Sequence, residues 1–379
     1  MDAILSYARS KQAEIIGLIR NLVECESPST DPEAVNRFVE LVADRVSSFA
    51  RVRRFPGGRF GQHLRCEFIL PGKHKAGQVL ALGHSDTVWP LGALEQMPFR
   101  EADSRLWGPG VLDMKAGIAF FLFAVQALRD LDLPLRRRVV LQLNSDEELG
   151  SDSSRPLTEE AARRSEAVLV LEPAAGLEGK LKTARKGVGE YTLAVYGKAA
   201  HAGLDFTAGA NAILELALQI HKIASFTNLE RGITVNPGVI SGGTRANVVP
   251  AEARAEINFR VPRLKDAEIL DRKFRALRPF DRRCRLEVSG GLNRPPMERT
   301  RAGTRLFRLA QKLAAELGVT LEESSSSGGS DGNFTAALRV PTLDGLGAVG
   351  EGAHAAHECI LIDRIADRTA LLAKLLASL

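Results

Sequence analysis

Four short apolar runs punctuate this chain: Val79–Leu82, Val139–Leu143, Ala167–Leu171 and Val340–Leu343. Each reads as a strand covered on both faces. Helical periodicity separates them, notably over Lys115–Arg129 and Arg305–Leu317. Strands alternating with helices predict an α/β fold with a mostly parallel central sheet flanked by helices. Near the N-terminus, Ile4, Tyr7, Ile15, Ile16, Leu18, Ile19, Leu22 and Val23 recur among charges, and an amphipathic helix is expected within Met1–Cys25.

The middle of the chain has a different rhythm. Gly189–Val195 alternates as a strand, Ala208–Ile223 is helical, and Ile233–Ile240 and Ala253–Val261 are strands. Asp266–Leu277 is helical again and Arg285–Ser289 is a last strand. This strand–helix–strand–strand–helix–strand order is that of a ferredoxin-like α+β domain. It predicts an insertion at 187–294, with 1–186 and 295–379 forming the first domain. An insertion of about 100 residues falls within the usual domain range. The serines Ser324–Ser327, followed by Gly328 and Gly329, predict a mobile loop.

Composition narrows the classes. At 379 residues and 45% hydrophobic, the chain supports a large core and more than one domain. No uninterrupted run of about 18 apolar residues occurs, and the N-terminus lacks a secretory pattern, so a cytoplasmic protein without a membrane partner is expected. Cys25, Cys66, Cys284 and Cys359 are widely spaced and read as free thiols in a reducing compartment. The net charge of +5 invites a nucleic-acid reading. Its densest run, Arg136-Arg137-Arg138, is short, lacks interleaved aromatics and leads straight into an apolar strand, so no nucleic-acid partner is expected.

Polar residues at the ends of the apolar runs carry the chemistry. His84-Ser85-Asp86 closes the first run. A carboxylate beside a histidine fixes its tautomer and raises its basicity toward a metal. Asp113 lies in Gly108-Pro109-Gly110-Val111-Leu112-Asp113-Met114-Lys115. It reads either as the N-cap of the following helix or as a ligand. The run Val139–Leu143 ends in Asn144-Ser145-Asp146-Glu147-Glu148. Neighbouring buried carboxylates repel unless a cation neutralises them, and adjacent residues project differently. One glutamate can therefore bind a metal while the other faces the attacking water. Glu172 ends the third run before Pro173. His354 and His357, three apart, would share a helical face, and either could be a ligand. Ligands in open α/β sheets sit beyond the carboxyl ends of strands. This set of nitrogen and oxygen donors suffices for two metals and suits Zn²⁺, with Co²⁺ or Mn²⁺ as alternatives.

These segments resemble the di-zinc metallopeptidases that include carboxypeptidase G, acetylornithine deacetylase, succinyl-diaminopimelate desuccinylase and the aminoacylases. The likeness rests on Gly83–Val88, Gly108–Gly117, Asp146–Ser151, Leu171–Pro173 and His354–Glu358, in that order. It implies a zinc-exopeptidase-like catalytic domain and a ferredoxin-like lid that also dimerises. His84 and Glu172 would hold one metal, and Glu148 and His354 the other. Asp113 would bridge ions about 3.5–4 Å apart. Asp86 would hold His84, Glu147 would be the general base, and the Asp113–Met114 peptide would be cis. His357 stands where relatives often carry Asn or Asp, and Glu351 interrupts a usual glycine stretch. In the lid, His201 matches a histidine that reaches across the dimer to the oxyanion; read alone it is a loop-capping residue. Asn247 and Arg260 match positions that bind the substrate carboxylate. The loop around Gly329 would lie near the substrate backbone.

The implied activity is hydrolysis of the amide bond of an N-acyl amino acid or short peptide, with glutamate carboxypeptidase the nearest pattern. A deacetylase, desuccinylase or dipeptidase would use the same centre. A metal-binding scaffold on a retired hydrolase fold is disfavoured, because the expected ligands and base are all occupied. Nucleotide binding fails, since no G-x-G-x-x-G follows a strand and opens a helix.

Overall fold

The computed structural model describes residues 2–73 and 75–379, and the chain divides into two compact units. The first comprises 1–184, 299–326 and 330–379, and the second 185–298 with 327–329.

The first unit is built on a six-stranded sheet. Its strands are β1 (Ala50–Pro56), β2 (Gln62–Phe68), β3 (Gln78–His84), β4 (Arg138–Asn144), β5 (Ser165–Val170) and the short Thr342–Leu343. Their order is β1-β2-β4-β3-β5 and then Thr342–Leu343. β3 runs parallel to β4 and β5, and Thr342–Leu343 runs parallel to β5, as the apolar runs predict. The hairpin of β1 and β2 extends the sheet antiparallel, beyond the strands that the apolar runs predict. β3 is buried along its whole length. Val79 and Ala81 enter the main core with Phe38, Phe120 and Phe121. Leu80 and Leu82 enter a second cluster on the opposite face with Ala161 and Ala162. Strand alternation thus feeds two apolar layers, each buried Val, Leu or Phe side chain contributing about 1.5–3 kcal/mol.

Two glycines set how closely this sheet is covered. A Cβ on Gly117 would lie 2.2 Å from the Leu171 carbonyl oxygen, and one on Gly347 would meet the same oxygen at 2.2 Å. The helix Ala116–Asp130 and the segment around Gly347 therefore press on the end of β5, directly before Glu172. The stretch Val111–Asp130 is apolar enough to cross a membrane by composition, but it is largely buried in this core.

Local details correct the sequence reading. The N-terminal segment forms two helices, Ala3–Ser10 and Gln12–Glu24, separated at Lys11; Met1 lies outside the described residues. Ser324–Ser326 of the expected loop belong to a strand, Glu323–Ser326, of a two-stranded sheet, and Ser327–Gly329 follow it without regular structure. Serines lack apolar periodicity, so only the pairing reveals them.

The second unit has strands β6 (Gly187–Tyr196), β7 (Thr234–Gly242), β8 (Glu252–Val261) and β9 (Arg285–Arg294), in the order β7-β8-β6-β9. All pairs are antiparallel. One face carries Tyr191, Leu193, Ala255, Ile257 and Phe259, packed against Leu216 and Ile223 of Ala212–Ala224 and Leu270 and Phe274 of Leu264–Arg275. Tyr191 stacks on both Phe259 and Phe274. The two ends of the unit are joined by reciprocal backbone hydrogen bonds between Arg185 and Met297. At the edge of the sheet, β7 leaves Val239 and Ile240 exposed at 56% and 59%.

Gly117→Ala tests the tight covering of β5. In an open helix this change stabilises by about 1 kcal/mol. Here the methyl meets backbone, and we expect the metal-free protein to lose about 1–3 kcal/mol, read as a lower thermal midpoint.

Candidate metal centre

The ends of three adjacent parallel strands converge on the candidate site. His84 is the last residue of β3, Glu147 and Glu148 follow β4, and Glu172 follows β5. His84, Asp113 and Glu172 bring one ligand atom each within 4.8 Å of one another, and Asp113, Glu148 and His354 do the same. Asp113 belongs to both groups. Its Oδ1 lies 3.2 Å from His84 Nε2 and its Oδ2 lies 3.4 Å from His354 Nε2. Glu172 Oε1 is 3.5 Å from His84 Nε2, and Glu148 Oε1 is 3.2 Å from His354 Nε2.

Asp113 is not the N-cap of the following helix. It has non-helical dihedrals, and the helix begins at Ala116 with Lys115 at its N-cap. The Asp113–Met114 peptide is cis. His354 and His357 do not share a helical face either. They lie in a turn between the paired strands Gly350–Glu351 and Cys359–Leu361, where His354 takes a positive φ of 62°. His357 is exposed, and Glu351 pairs with Arg105.

The support of His84 differs in detail from the expected carboxylate contact. Its Nδ1 sits 2.9 Å from the backbone carbonyl of Asp86 and 3.5 Å from that residue's Oδ1. The carbonyl can only accept, so Nδ1 carries the proton and Nε2 faces Asp113 and Glu172. The Asp86 carboxylate instead accepts from the backbone N–H of Glu147 (3.3 Å) and Glu148 (3.2 Å) and from Ser29 Oγ (2.8 Å). Asp86 therefore ties the end of β3 to the turn after β4, fixing where both glutamates project.

A second buried network backs that turn. The Ser145 N–H donates to His63 Nδ1 at 3.1 Å, which leaves the His63 proton on Nε2. That nitrogen lies 3.1 Å from Ser153 Oγ, which donates to Asp146 Oδ2 at 2.7 Å. Burial pushes the His63 pKa below its ordinary value, against the nearby Asp146, Asp331 and Asp86 charges. Asn144 donates to Asp331, whose other oxygen accepts from Ser151. No pattern in the chain marks His63, Ser29 or Asp331 as supports, because their partners are distant in sequence.

The electrostatics favour positive charge at two points. Burial disfavours a charged His84, but hydrogen bonds to Asp113, Asp86 and Glu172 outweigh it and hold its pKa well above normal. Contacts with Asp113 and Glu148 raise His354 to about 10. Burial would raise Asp113, but the two histidines hold it low, whereas burial keeps Glu148 raised. Glu148 Oε1 is buried, and its near polar neighbour is His354 Nε2 at 3.2 Å. Each half of the cluster thus offers one imidazole and carboxylate oxygens that a cation would satisfy. Two ligands of a tetrahedral zinc about 2.0–2.2 Å from the ion stand roughly 3.3–3.5 Å apart. The four separations of 3.2, 3.5, 3.4 and 3.2 Å fit that spacing.

The other candidate residues belong to the second unit. His201 Nδ1 accepts from the N–H groups of Gly203 (3.1 Å) and Leu204 (3.0 Å), the loop-capping role. The Asn247 carbonyl accepts from Ala202 N at 3.0 Å, which keeps Asn247 beside His201. Arg260 near the end of β8 donates from Nε to Asn258 Oδ1 at 3.2 Å. Burial and the Arg294 guanidinium both lower its pKa. The Gly328 and Gly329 carbonyls accept from Arg185 Nη1, each at 3.1 Å.

Comparison with known proteins yields a consistent family. The model for "Peptidase family M20/M25/M40" matches residues 80–378. Carboxypeptidase G2 of Pseudomonas sp. (strain RS-16) is 26% identical over 388 residues, covering 100% of this chain and 92% of the relative. Succinyl-diaminopimelate desuccinylase of Acidovorax ebreus (strain TPSY) is 31% identical over 305 residues, covering 75% of this chain and 76% of the relative. The crystal structure of aminopeptidase PepT from Bacillus cereus ATCC 10987 superposes with a TM-score of 0.80 at 21% identity, over 97% of this chain and 98% of that one.

The His63 network makes a pH prediction. A histidine whose folded pKa is lowered contributes stability that is present above its unfolded value and is lost as pH falls through the folded value. The thermal midpoint of the metal-free protein should therefore drop below pH 6.5. His63→Gln should lower the midpoint at neutral pH and flatten that drop, measured by thermal melts between pH 5 and 8.

Proposed function

This chain belongs to peptidase family M20/M25/M40, and on that footing we propose that it is a di-zinc carboxypeptidase-like hydrolase acting on an N-acyl amino acid or short peptide. One observation carries the reading: the single carboxylate of Asp113 offers one oxygen to each of two histidine–glutamate pairs. In this assignment His84 and Glu172 hold one zinc and Glu148 and His354 the other, with Asp113 between them. The donors are nitrogen and oxygen only, a set that Co²⁺ or Mn²⁺ would also accept. When bound, two such cations polarise the amide carbonyl and lower the pKa of water toward about 7.

The chain's own groups do the rest. Glu147 is the general base: it takes the proton of the attacking water and passes it to the leaving nitrogen. Its backbone is anchored on the Asp86 carboxylate, beside the anchored Glu148. In the second unit, Arg260 is suited to the substrate carboxylate, because burial and the nearby Arg294 leave its surroundings favourable to an anion. Asn247 and Gly329 are assigned to the substrate's polar backbone. His201, with Nδ1 occupied as an acceptor, carries its proton on Nε2 and can donate to the oxyanion.

The carboxypeptidase reading follows the relative whose similarity spans the whole chain, and the desuccinylase reading follows the relative with higher identity over part of it. We further propose a homodimer through the second unit. The edge strand β7, bearing exposed Val239 and Ile240, would pair with its counterpart. The four free cysteines suit a cytoplasmic setting.

Glu147→Gln should lower kcat by at least about 10²-fold with zinc content unchanged. Chelation should abolish hydrolysis, and Zn²⁺ or Co²⁺ should restore it. Full activity in the variant, or metal-replete protein inert toward N-acyl glutamates, N-succinyl amino acids and dipeptides alike, overturns the reading. For the dimer, Ile240→Lys should convert the sedimenting species from dimer to monomer.

A further inference from the structure

Glu358 is not a ligand, yet it touches the segments that carry ligands of both halves of the cluster. Its side chain is buried. Oε1 accepts from the backbone N–H of Leu112 at 2.9 Å and of Asp113 at 3.0 Å. Oε2 accepts from the Gly110 N–H at 2.8 Å and from Trp89 Nε1 at 2.8 Å. The donors come from two stretches far away in sequence. Trp89 follows His84 by five residues, on the segment that leaves β3. Gly110–Asp113 is the loop that ends in the shared carboxylate. Glu358 itself lies four residues after His354, at the foot of the turn that sets that histidine. One side chain therefore joins the three backbone segments bearing His84, Asp113 and His354.

Both oxygens are engaged by two donors each. Hydrogen bonds to an ionised acceptor are about twice as strong as neutral ones. The bond to the Asp113 N–H acts directly on the residue whose two oxygens must face two different histidines. Asp113 has non-helical dihedrals and precedes the helix that begins at Ala116, so that helix does not hold its peptide in place.

We propose that Glu358 is a positioning residue for the metal centre: it clamps the Asp113 loop to the His84 and His354 segments and so sets the spacing of both metal sites. The proposal rests on reading the cluster as a di-metal site. A glutamine here is nearly isosteric but presents an NH₂ group to two N–H donors, whichever way its amide is turned. Two buried donors then lose their acceptor.

The test is zinc affinity measured by competition with a chromogenic chelator on Glu358→Gln and Trp89→Phe, with circular dichroism of the metal-free proteins. Groups that orient metal ligands typically alter metal affinity by 10–100-fold. Glu358→Gln should retain its secondary structure and bind zinc 10–100-fold more weakly. Its Co²⁺-loaded form should show a shifted visible absorption, which reports ligand geometry. Trp89→Phe removes one donor of four and should weaken zinc binding several-fold. It carries the test alone if the glutamine variant does not fold. Wild-type zinc affinity in either folded variant overturns the proposal. Failure of the wild-type protein to bind two zinc ions would overturn the metal-centre reading instead.

Discussion

Three carboxylates and two imidazoles face one another within a few ångströms beside the ends of the buried strands β3, β4 and β5. Like charges this close raise each other's energy, and burial removes the water that would screen them. Such an arrangement persists only where positive charge is at hand. The histidines supply it by holding protons far more tightly than usual, and divalent cations would supply it better. The rest of the first unit can be understood as what keeps this group assembled.

The sheet performs most of that work. Parallel strands with both faces covered end at one rim, so His84, Glu147, Glu148 and Glu172 arrive there from neighbouring strands. Gly117 and Gly347 let helix and loop close on the Leu171 carbonyl, so the strand end before Glu172 has little room to move. Side chains then stitch the connecting turns together. Asp86 holds the turn after β4, the His63–Ser153–Asp146 chain backs it, and Glu358 gathers the loop of Asp113. Regular structure delivers these side chains to the cluster, and buried polar contacts orient them.

What the chain revealed in advance follows from this division. Apolar runs that end in acids or histidine are local patterns, so the strands and the polar residues at their ends were readable directly. The second unit's alternation was equally local. Contacts that join distant segments left no such trace. β1 alternates arginines with apolar residues and lies at an edge, so its pattern looks like a solvated stretch. Glu323–Ser326 has no apolar period at all. The turn at His354 depends on pairing between Gly350–Glu351 and Cys359–Leu361, and its histidine spacing imitated a helix. Glu358 reads in sequence as one more acid; only its four donors distinguish it.

The reciprocal hydrogen bonds between Arg185 and Met297 hold the two ends of the 185–298 segment side by side. Its incoming and outgoing strands are already zipped side by side, so excising it would leave ends that a turn of a few residues can close, at small entropic cost.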